Sequence, residues 1–428
     1  MMAAMSTHTR RNFFQKTGAG APVAAASAYI LMKPQLVKGW APAKLKAGLV
    51  GCGGRGTQAV VDMMQGTENI ELVAMGDLFE DKLEGSLKSL RGRKDFDTFK
   101  DRLKVEPDHH FTGFDAYKKI LATDIDIVML ATPPGYRPIH FEAAIEAKKH
   151  VFCEKPFGVD AVGVRRFMAA AKKSEELKLT VMSGAQRRND QNYVETVKKI
   201  KDGAIGDVLA TYAYWVGTPV IQQKARDPKW GDMTWQHRNW YSFLWICGDQ
   251  IVEQHLHNID VCNWVMGGHP VEVVASGGAS WRPREELYGC IYDHIGADFV
   301  YANGVHMSSY CRQYPRPAAG NVSELIIGSK GRSNGHDMGP NARTLPYVSE
   351  HTAMAASIRG DGPYVNHGMA VAESTMTCIM GRESAYSGLK ITWDMMMNSK
   401  QDLTPKEFGY DAKMDVPPLP VPGEYKFI

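Results

Sequence analysis

The sequence predicts two domains of different construction: an α/β domain with a doubly wound parallel sheet, followed by an α+β domain with a mostly antiparallel open sheet. The first prediction rests on strand-like and helix-like segments that alternate between residues 44 and 183. The second rests on strand-like runs separated by loops after Gly206, beginning with 208–216. At 428 residues the chain is long enough to form two such cores.

The predicted organisation has five segments. Their limits are 1–33 for an N-terminal signal or arm, 34–43 for a linker, 44–183 for the first domain, 184–405 for the second, and 406–428 for a C-terminal strap. The strap is expected to be extended, because prolines recur through residues 417–422 and favour extended backbone.

The N-terminal segment has the pattern of an export signal. Arg10 and Arg11 precede two phenylalanines and a lysine, and the small uncharged stretch 17–32 follows. We interpret this as a twin-arginine signal, which predicts a periplasmic or extracytoplasmic protein. The alternative is a basic N-terminal arm. The apolar run is too short and too rich in Gly, Ser and Ala for stable insertion in a membrane.

Charge and cysteine content argue against some function classes. The 50 basic and 47 acidic residues give a net charge of +3 without a basic stripe, so nucleic acid is not an expected partner. The seven cysteines are scattered and include no C-x-x-C pair. Neither a disulfide framework nor a zinc site is therefore predicted.

A glycine-rich turn links the first strand-like run, 45–50, to a helical pattern. The first glycine of the turn permits a tight bend, the second lets the backbone approach a pyrophosphate, and the last allows close packing of helix on strand. The phosphates would meet the free N–H groups at the start of the helix. The turn residues expected to contact a dinucleotide are Gly51, Gly53, Gly54, Arg55 and Gly56.

Acidic and polar residues end two later strand-like runs. Asp77 lies about twenty residues beyond the glycine turn, where a carboxylate accepts hydrogen bonds from the adenosine ribose. It would repel a 2′-phosphate, so NAD is favoured over NADP. The alternative is a plain βα turn with a solvated aspartate. Thr132 and Pro133 end a later parallel strand, where further cofactor contacts are expected.

The tripeptide Glu154-Lys155-Pro156 follows a short buried strand. Lys155 is expected to project toward the nicotinamide end of the cofactor, where a partly desolvated lysine can exchange a proton with a substrate hydroxyl. Taken alone, this lysine would more often be a surface residue beside the start of a helix.

Residues 44–188 resemble the glucose-fructose oxidoreductase and inositol dehydrogenase family, Gfo/Idh/MocA. The resemblance is carried by the glycine turn, Asp77, residues 131–134, His140 and Glu154-Lys155-Pro156, and it continues at 203–208 and 248–267. It implies a Rossmann domain that binds NAD, with His140, Glu154 and Lys155 beside the cofactor. It also implies a second domain that binds a carbohydrate and forms a homo-oligomer, a dimer or a tetramer.

The resemblance assigns the family's substrate helix to residues 248–267. It implies that Glu253 and His257, four residues apart on one helical face, contact substrate and nicotinamide, with His257 as a proton-transfer partner of Lys155. Asp260 is expected near the substrate as well. Glu253 departs from the family's aspartate. No metal site is predicted, because alternate residues on a helix point to different faces.

Aromatic residues concentrate before and within this helix. Six of the nine tryptophans lie between residues 215 and 264, beside charged donors, as a pyranose ring would require. The alternative is that they fill the core or an oligomer interface. The expected substrate contacts are Trp240 and Tyr241, together with Arg187 and Tyr193.

The resemblance leaves three functions open. The first is an exported sugar or glycoside oxidoreductase that transfers hydride at a ring carbinol, C3, and recycles tightly bound NAD(H). The second is an NAD-dependent glycosidase that uses transient C3 oxidation, and the third is a non-catalytic NAD-binding protein. Lys155 favours the first, because related glycosidases often lack this lysine.

Overall fold

The computed structural model describes residues 44–220, 223–316 and 318–428. The predicted signal or arm at 1–33 and the linker at 34–43 lie outside these ranges. Among the described residues, none of the helices has both the length and the apolar character needed to cross a membrane.

The first domain is built on a parallel sheet of six described strands in the order β3-β2-β1-β4-β5-β6. This is the strand order of dinucleotide-binding folds. The strands are β1 (Leu45–Val50), β2 (Ile70–Asp77), β3 (His110–Thr112), β4 (Ile127–Leu130), β5 (His150–Cys153) and β6 (Val181–Ser183). The helices are α1 (Gly54–Gly66), α2 (Glu80–Arg91), α3 (Ala116–Leu121), α4 (Arg137–Glu146) and α5 (Ala161–Glu176).

The parallel sheet follows from continuous apolar runs. All four residues of β4 are buried, as expected where helices cover both faces of a sheet. Strand β5 is buried from its second residue onward. The predicted doubly wound domain is confirmed.

The second domain is built on a sheet of seven described strands in the order β12-β11-β7-β10-β9-β8-β13. Neighbours pair antiparallel except β7 with β10, which confirms a mostly antiparallel sheet. The strands are β7 (Val208–Gly217), β8 (Glu272–Gly278), β9 (His294–Val300), β10 (His306–Gln313), β11 (Asn321–Gly328), β12 (Gly331–Ser333) and β13 (Ile391–Thr392). The remaining helices are α6 (Gln191–Lys201), α7 (Asp232–Arg238), α8 (Leu244–Cys247), α9 (Gln250–Glu253), α10 (Leu256–Met266), α11 (Pro346–Arg359), α12 (Gly368–Ser387) and α13 (Trp393–Asn398).

Strand β10 shows how this second sheet is covered on one face. Met307 and Cys311 are buried, whereas Ser308 and Tyr310, which lie between them in the strand, are exposed. Helices α9, α10 and α12 pack on the buried side. The opposite face stays open, as is common in antiparallel sheets.

The chain returns to the first domain after the second sheet. Helix α11 packs on α1, and its Met354 and Ala355 join the core formed by residues of β1, β2 and α1. The backbone of 365–367 then bonds to Val181 at the edge of the parallel sheet. The predicted limits of 184–405 therefore enclose a segment that packs with the first domain, because packing does not follow chain order.

The strap at 406–428 contains no helix or strand. Its end is fixed by contacts with the second half of the chain: Tyr425 donates a hydrogen bond to Glu383, and Lys400 donates its backbone N–H to the Ile428 carbonyl.

Candidate active site

A cavity of about 980 Å³ lies where the parallel strands end, between the two domains. Ligands bind at this edge in open α/β sheets. Its walls bring together many of the predicted site residues: Gly51, Gly53, Gly54, Arg55, Gly56, Asp77, Thr132, Pro133, His140, Glu154, Lys155, Arg187, Trp240, Glu253 and His257.

The glycine turn is shaped so that backbone, not side chains, faces the cavity. Gly51 has φ +98°, and a Cβ on Gly56 would lie 2.0 Å from the Gly51 carbonyl oxygen. By contrast, a Cβ on Gly53 or Gly54 would meet no described atom within 4 Å. This open space lies at the N-terminus of α1, where backbone N–H groups favour phosphate. The turn therefore fits a dinucleotide pyrophosphate.

Asp77 ends β2 beside this turn. Its carboxylate accepts hydrogen bonds from the backbone N–H groups of Cys52, at 2.7 Å, and Phe79, at 2.9 Å. Burial raises the pKa of Asp77, although these two hydrogen bonds act in the opposite direction. The carboxylate is held rigidly at the cavity wall, as a ribose-binding acid requires.

Lys155 and Glu253 meet deeper in the cavity. The Lys155 Nζ donates to the Glu253 backbone carbonyl at 2.6 Å and lies 3.1 Å from Oε1 of the same residue. The other carboxylate oxygen, Oε2, accepts from the Tyr241 hydroxyl and from the Gln254 amide, both at 2.6 Å. Both members of the ion pair are nearly buried. Tyr241 therefore holds Glu253, and Glu253 holds Lys155.

His257 lies beside this ion pair on the cavity wall. Its ring stacks on Trp215 with centroids 5.8 Å apart, and its Nδ1 has no hydrogen-bond partner among the described residues. Burial lowers the pKa of His257 well below its usual value, and the charges of Lys155 and Arg187 lower it further. The imidazole is therefore neutral near pH 7.

The predicted substrate helix is interrupted. Helix α9 ends at Glu253 and α10 begins at Leu256, so Glu253 and His257 reach the cavity from two helices instead of one continuous face. His255 points away and bonds Ser309 at 2.8 Å. In the described ranges, no group of three or more His, Cys, Asp or Glu residues is placed to hold a metal ion.

Three predicted substrate residues do not line the cavity in the described structure. Tyr241 is buried behind Glu253. Tyr193 donates its hydroxyl to Glu324 at 3.1 Å. Asp260 accepts two hydrogen bonds from Arg188, both at 2.8 Å, and one from Ser374. These three side chains bond to other residues of the protein. The predicted direct contact with substrate is therefore corrected: in this structure they support the site from behind the cavity wall.

Arg55 connects the glycine turn to Glu154. Its Nε donates to Glu154 at 2.5 Å and its Nη1 to Asp62 at 3.2 Å. Its guanidinium also lies 4.7 Å from the ring of Tyr347 and 3.6 Å from the buried carboxylate of Glu350. Since Glu154 directly precedes Lys155, this network links the position of the turn to that of the lysine.

His140 supports the cavity from below. Its ring stacks on Tyr117 at 4.2 Å and Tyr136 at 5.5 Å, and its Nδ1 lies 3.3 Å from the Thr132 hydroxyl. Burial lowers the pKa of His140 to about 3. The residue is therefore neutral and packs as an aromatic ring.

Several lining residues were not predicted from the sequence, among them Trp215, Arg137 and Tyr347. Trp215 belongs to the aromatic concentration before the substrate helices, so a signal existed without singling it out. Tyr347 lies on α11, and its approach to the glycine turn depends on packing between distant segments. No local pattern indicates such an approach.

Comparison with known proteins agrees with this geometry. Residues 45–183 match the Gfo/Idh/MocA model, described as an oxidoreductase family with an NAD-binding Rossmann fold. The myo-inositol 2-dehydrogenase of Thermotoga maritima is 24% identical over 233 residues, covering 54% of this chain and 58% of the relative. The inositol 2-dehydrogenase of Rhizobium meliloti is 30% identical over 155 residues, covering 36% and 41%. The matched regions thus span less than two thirds of these relatives.

Solved structures resemble most of the chain. The scyllo-inositol dehydrogenase of Lactobacillus casei, with bound NAD(H) and scyllo-inositol, has a TM-score of 0.61 at 18% identity and covers 82% of this chain and 99% of that chain. This likeness extends the shared fold through the second domain. The first domain of this chain, residues 45–183, is an NAD-binding Rossmann domain of the Gfo/Idh/MocA oxidoreductase family.

Proposed function

We propose that the protein is an NAD-dependent oxidoreductase that removes hydride from a ring carbinol of a sugar, glycoside or related polyol. Where the substrate is a pyranose, the proposed carbinol is the one at C3. The observation that carries this proposal is the Lys155–Glu253 pair, which shares one cavity with the glycine turn and with His257. Cofactor-binding and acid–base groups thus stand at one site, which a binding protein would not require.

The roles of the side chains follow from their contacts. NAD supplies the hydride acceptor when it is bound. His257 is the proposed acceptor of the substrate hydroxyl proton, because its Nδ1 lies on the cavity wall without a hydrogen-bond partner among the described residues, and Lys155 orients the hydroxyl oxygen through a hydrogen bond. Glu253 fixes the lysine, and Tyr241 fixes the carboxylate. Positioning of the substrate and proton transfer both lower the activation barrier for hydride transfer.

The proposed substrate class rests on the cavity wall and on the relatives. Trp215 and Trp240 offer aromatic faces for the apolar side of a ring, and Arg187 offers a donor for hydroxyls. Two relatives are named inositol dehydrogenases, and inositols share ring secondary hydroxyls with pyranoses.

We also propose that the protein is exported by the twin-arginine route, holds NAD(H) tightly and recycles it in place. Arg10 and Arg11 support export. This route carries folded proteins with their cofactor, and free NAD is not expected outside the cytoplasm. The open face of the second sheet, with Val274 and Tyr310 exposed, supports a homo-oligomer.

The test uses the full chain purified without added nucleotide. It is incubated with myo-inositol, D-glucose and 4-nitrophenyl glycosides while absorbance at 340 nm and release of nitrophenolate are followed. We expect the 340 nm absorbance to rise to a plateau equal to the bound nucleotide, without nitrophenolate release. Sustained nitrophenolate release without net reduction would replace the oxidoreductase by a glycosidase.

A further inference from the structure

Helix α7 of the second half of the chain is tied to the first domain at the end of β2. Arg238, its last residue, donates two hydrogen bonds to Asp81, at 3.0 and 2.9 Å. The same guanidinium lies 4.1 Å from the ring centroid of Phe79. Phe79 and Arg238 both line the cavity, as does Asp77, two residues before Phe79. The contact therefore joins two walls of the cavity at its ribose-binding end.

The C-terminal strap packs against the cavity wall that contains Phe79. The Tyr410 hydroxyl donates to the Leu78 carbonyl at 2.7 Å, and its ring lies 6.1 Å from Phe79 and 5.3 Å from Phe114. Phe408 packs at 5.8 Å from Phe114. Leu78, Phe79 and Phe114 are lining residues. Two aromatic rings that a cofactor would contact are thus backed by residues that lie 294 to 331 positions away in the sequence.

Helix α7 and the strap are fastened to each other. The Thr234 hydroxyl donates to the Tyr410 carbonyl at 2.8 Å, and the Met233 backbone N–H donates to the Ala412 carbonyl at 3.2 Å. The Gln236 amide donates to the Met414 carbonyl at 3.1 Å. We name residues 232–238 and 408–414 together the adenosine clasp, because these contacts make them one unit.

We propose that the adenosine clasp retains NAD by closing the cavity over its adenosine half. This inference rests on the proposed function, which places NAD in this cavity with its adenosine ribose at Asp77. Phe114 and the Arg238 guanidinium that lies over Phe79 line the cavity and could contact the adenine ring. The adenosine leaves when Arg238 separates from Phe79 and Asp81, because these groups bridge the two walls beside Asp77.

The chemistry of the clasp makes retention sensitive to salt. Asp81 is 58% exposed at its side chain, and Arg238 is 16% exposed. An ion pair open to solvent on one side weakens as ionic strength rises. NAD dissociation should therefore accelerate between 0.05 M and 0.5 M NaCl, values chosen to span roughly the range over which such pairs are screened.

The experiment measures retention of NAD by the full chain. Protein loaded with NAD is mixed with an excess of 1,N6-etheno-NAD, and the released NAD is quantified against time. The variants are Arg238→Gln, Asp81→Asn, Tyr410→Phe and the charge swap Arg238→Asp with Asp81→Arg. The control is Arg166→Gln, because Arg166 and Glu142 form another exposed ion pair, on α5 and α4. Circular dichroism verifies that each variant is folded.

We expect dissociation to accelerate about twofold to fivefold in Arg238→Gln and Asp81→Asn, and by a similar factor in Tyr410→Phe. The charge swap should recover part of the retention, and Arg166→Gln should match the unmodified protein. Equal dissociation rates in all folded variants would overturn the clasp, as would an unmodified protein that does not bind NAD.

The outcome separates the clasp from the proposed function. If the unmodified protein oxidises myo-inositol or a sugar while the clasp variants hold NAD as long as it does, the clasp fails and the proposed function stands. If the variants release NAD faster and the unmodified protein oxidises none of these compounds, the clasp stands and the proposed function fails.

Discussion

Lys155 and Glu253, 98 residues apart in sequence, form a nearly buried ion pair in which the lysine Nζ also donates to the backbone carbonyl of its partner. Two contacts to one residue fix both the position and the direction of the ammonium group. Lys155 reaches the cavity from the loop that follows β5, and Glu253 at the end of α9 holds it in place.

Replacing Lys155 by Met should abolish most of the hydride transfer and spare NAD binding. The change removes the donor that orients the substrate hydroxyl, which corresponds to a fall of about 10²-fold to 10⁴-fold in kcat. Stopped-flow absorbance at 340 nm measures the effect, and Lys172→Met on the exposed face of α5 is the control. Unchanged turnover in Lys155→Met would contradict the role of this lysine in orienting the substrate hydroxyl.

Replacing Tyr241 by Phe should lower kcat about tenfold with little change in NAD affinity, since a lost hydrogen bond to a charged group is worth about 1.5 kcal/mol. The hydroxyl holds Glu253 and does not line the cavity. A changed pH profile of kcat distinguishes this positioning role from a general loss of stability. Tyr364→Phe, which loses a hydroxyl contact to the Leu179 carbonyl instead, is the control.

Two glycines of the turn should respond to alanine in different ways. Gly56→Ala drives a methyl against the Gly51 carbonyl, so the free energy of unfolding should fall by about 2 kcal/mol. Gly53→Ala meets open space, so unfolding should change by no more than about 1 kcal/mol while NAD binding weakens at least tenfold. Denaturant titration and NAD titration measure the two effects. Equal NAD affinity in Gly53→Ala would contradict a pyrophosphate at this turn.

Stability should fall as the pH decreases below about 6.5, the pKa of an unfolded histidine. Burial lowers the pKa of His140 to about 3 and that of His237 to about 4, so between these values and 6.5 the unfolded chain binds more protons. His140 alone should account for about 2 kcal/mol between pH 8 and pH 5. Urea unfolding at each pH should show a shallower slope in His140→Asn, and no change in the exposed His306→Asn.

The proposed export depends on the paired arginines of the N-terminal segment. The double substitution Arg10→Lys and Arg11→Lys should leave the protein in the cytoplasm, because the twin-arginine route reads the pair itself. Cell fractionation followed by immunoblotting measures this. Periplasmic recovery equal to that of the unmodified chain would contradict the proposed route.

The parts of the fold that local pattern governs were predictable. The glycine turn, Asp77 and Glu154-Lys155 follow strands whose apolar runs are visible in the sequence, and parallel strands bring their carboxyl ends to one edge. The open antiparallel sheet was predictable for the same reason, since strands such as β10 alternate buried and exposed residues.

The parts that distant packing governs were not predictable. Helix α9 begins directly after Asp249, a buried residue at φ +80° whose carboxylate accepts hydrogen bonds from the Tyr292 backbone and the Tyr386 hydroxyl, and the helix ends at Glu253. Asp260 was expected at the substrate, yet Arg188 on a preceding turn engages both of its oxygens. These partners lie far apart in the chain, and no periodicity relates them.

The proposed transfer of hydride from a ring carbinol to NAD in this cavity can be followed with deuterium. The most direct measurement supplies the NAD-loaded protein with myo-inositol deuterated at C2 and, separately, D-glucose deuterated at C3 or at C1, then determines the mass of the released nucleotide. We expect NADH with one deuterium from the inositol or from the C3-labelled glucose, and none from the C1-labelled glucose. Nucleotide without deuterium from every compound would contradict it.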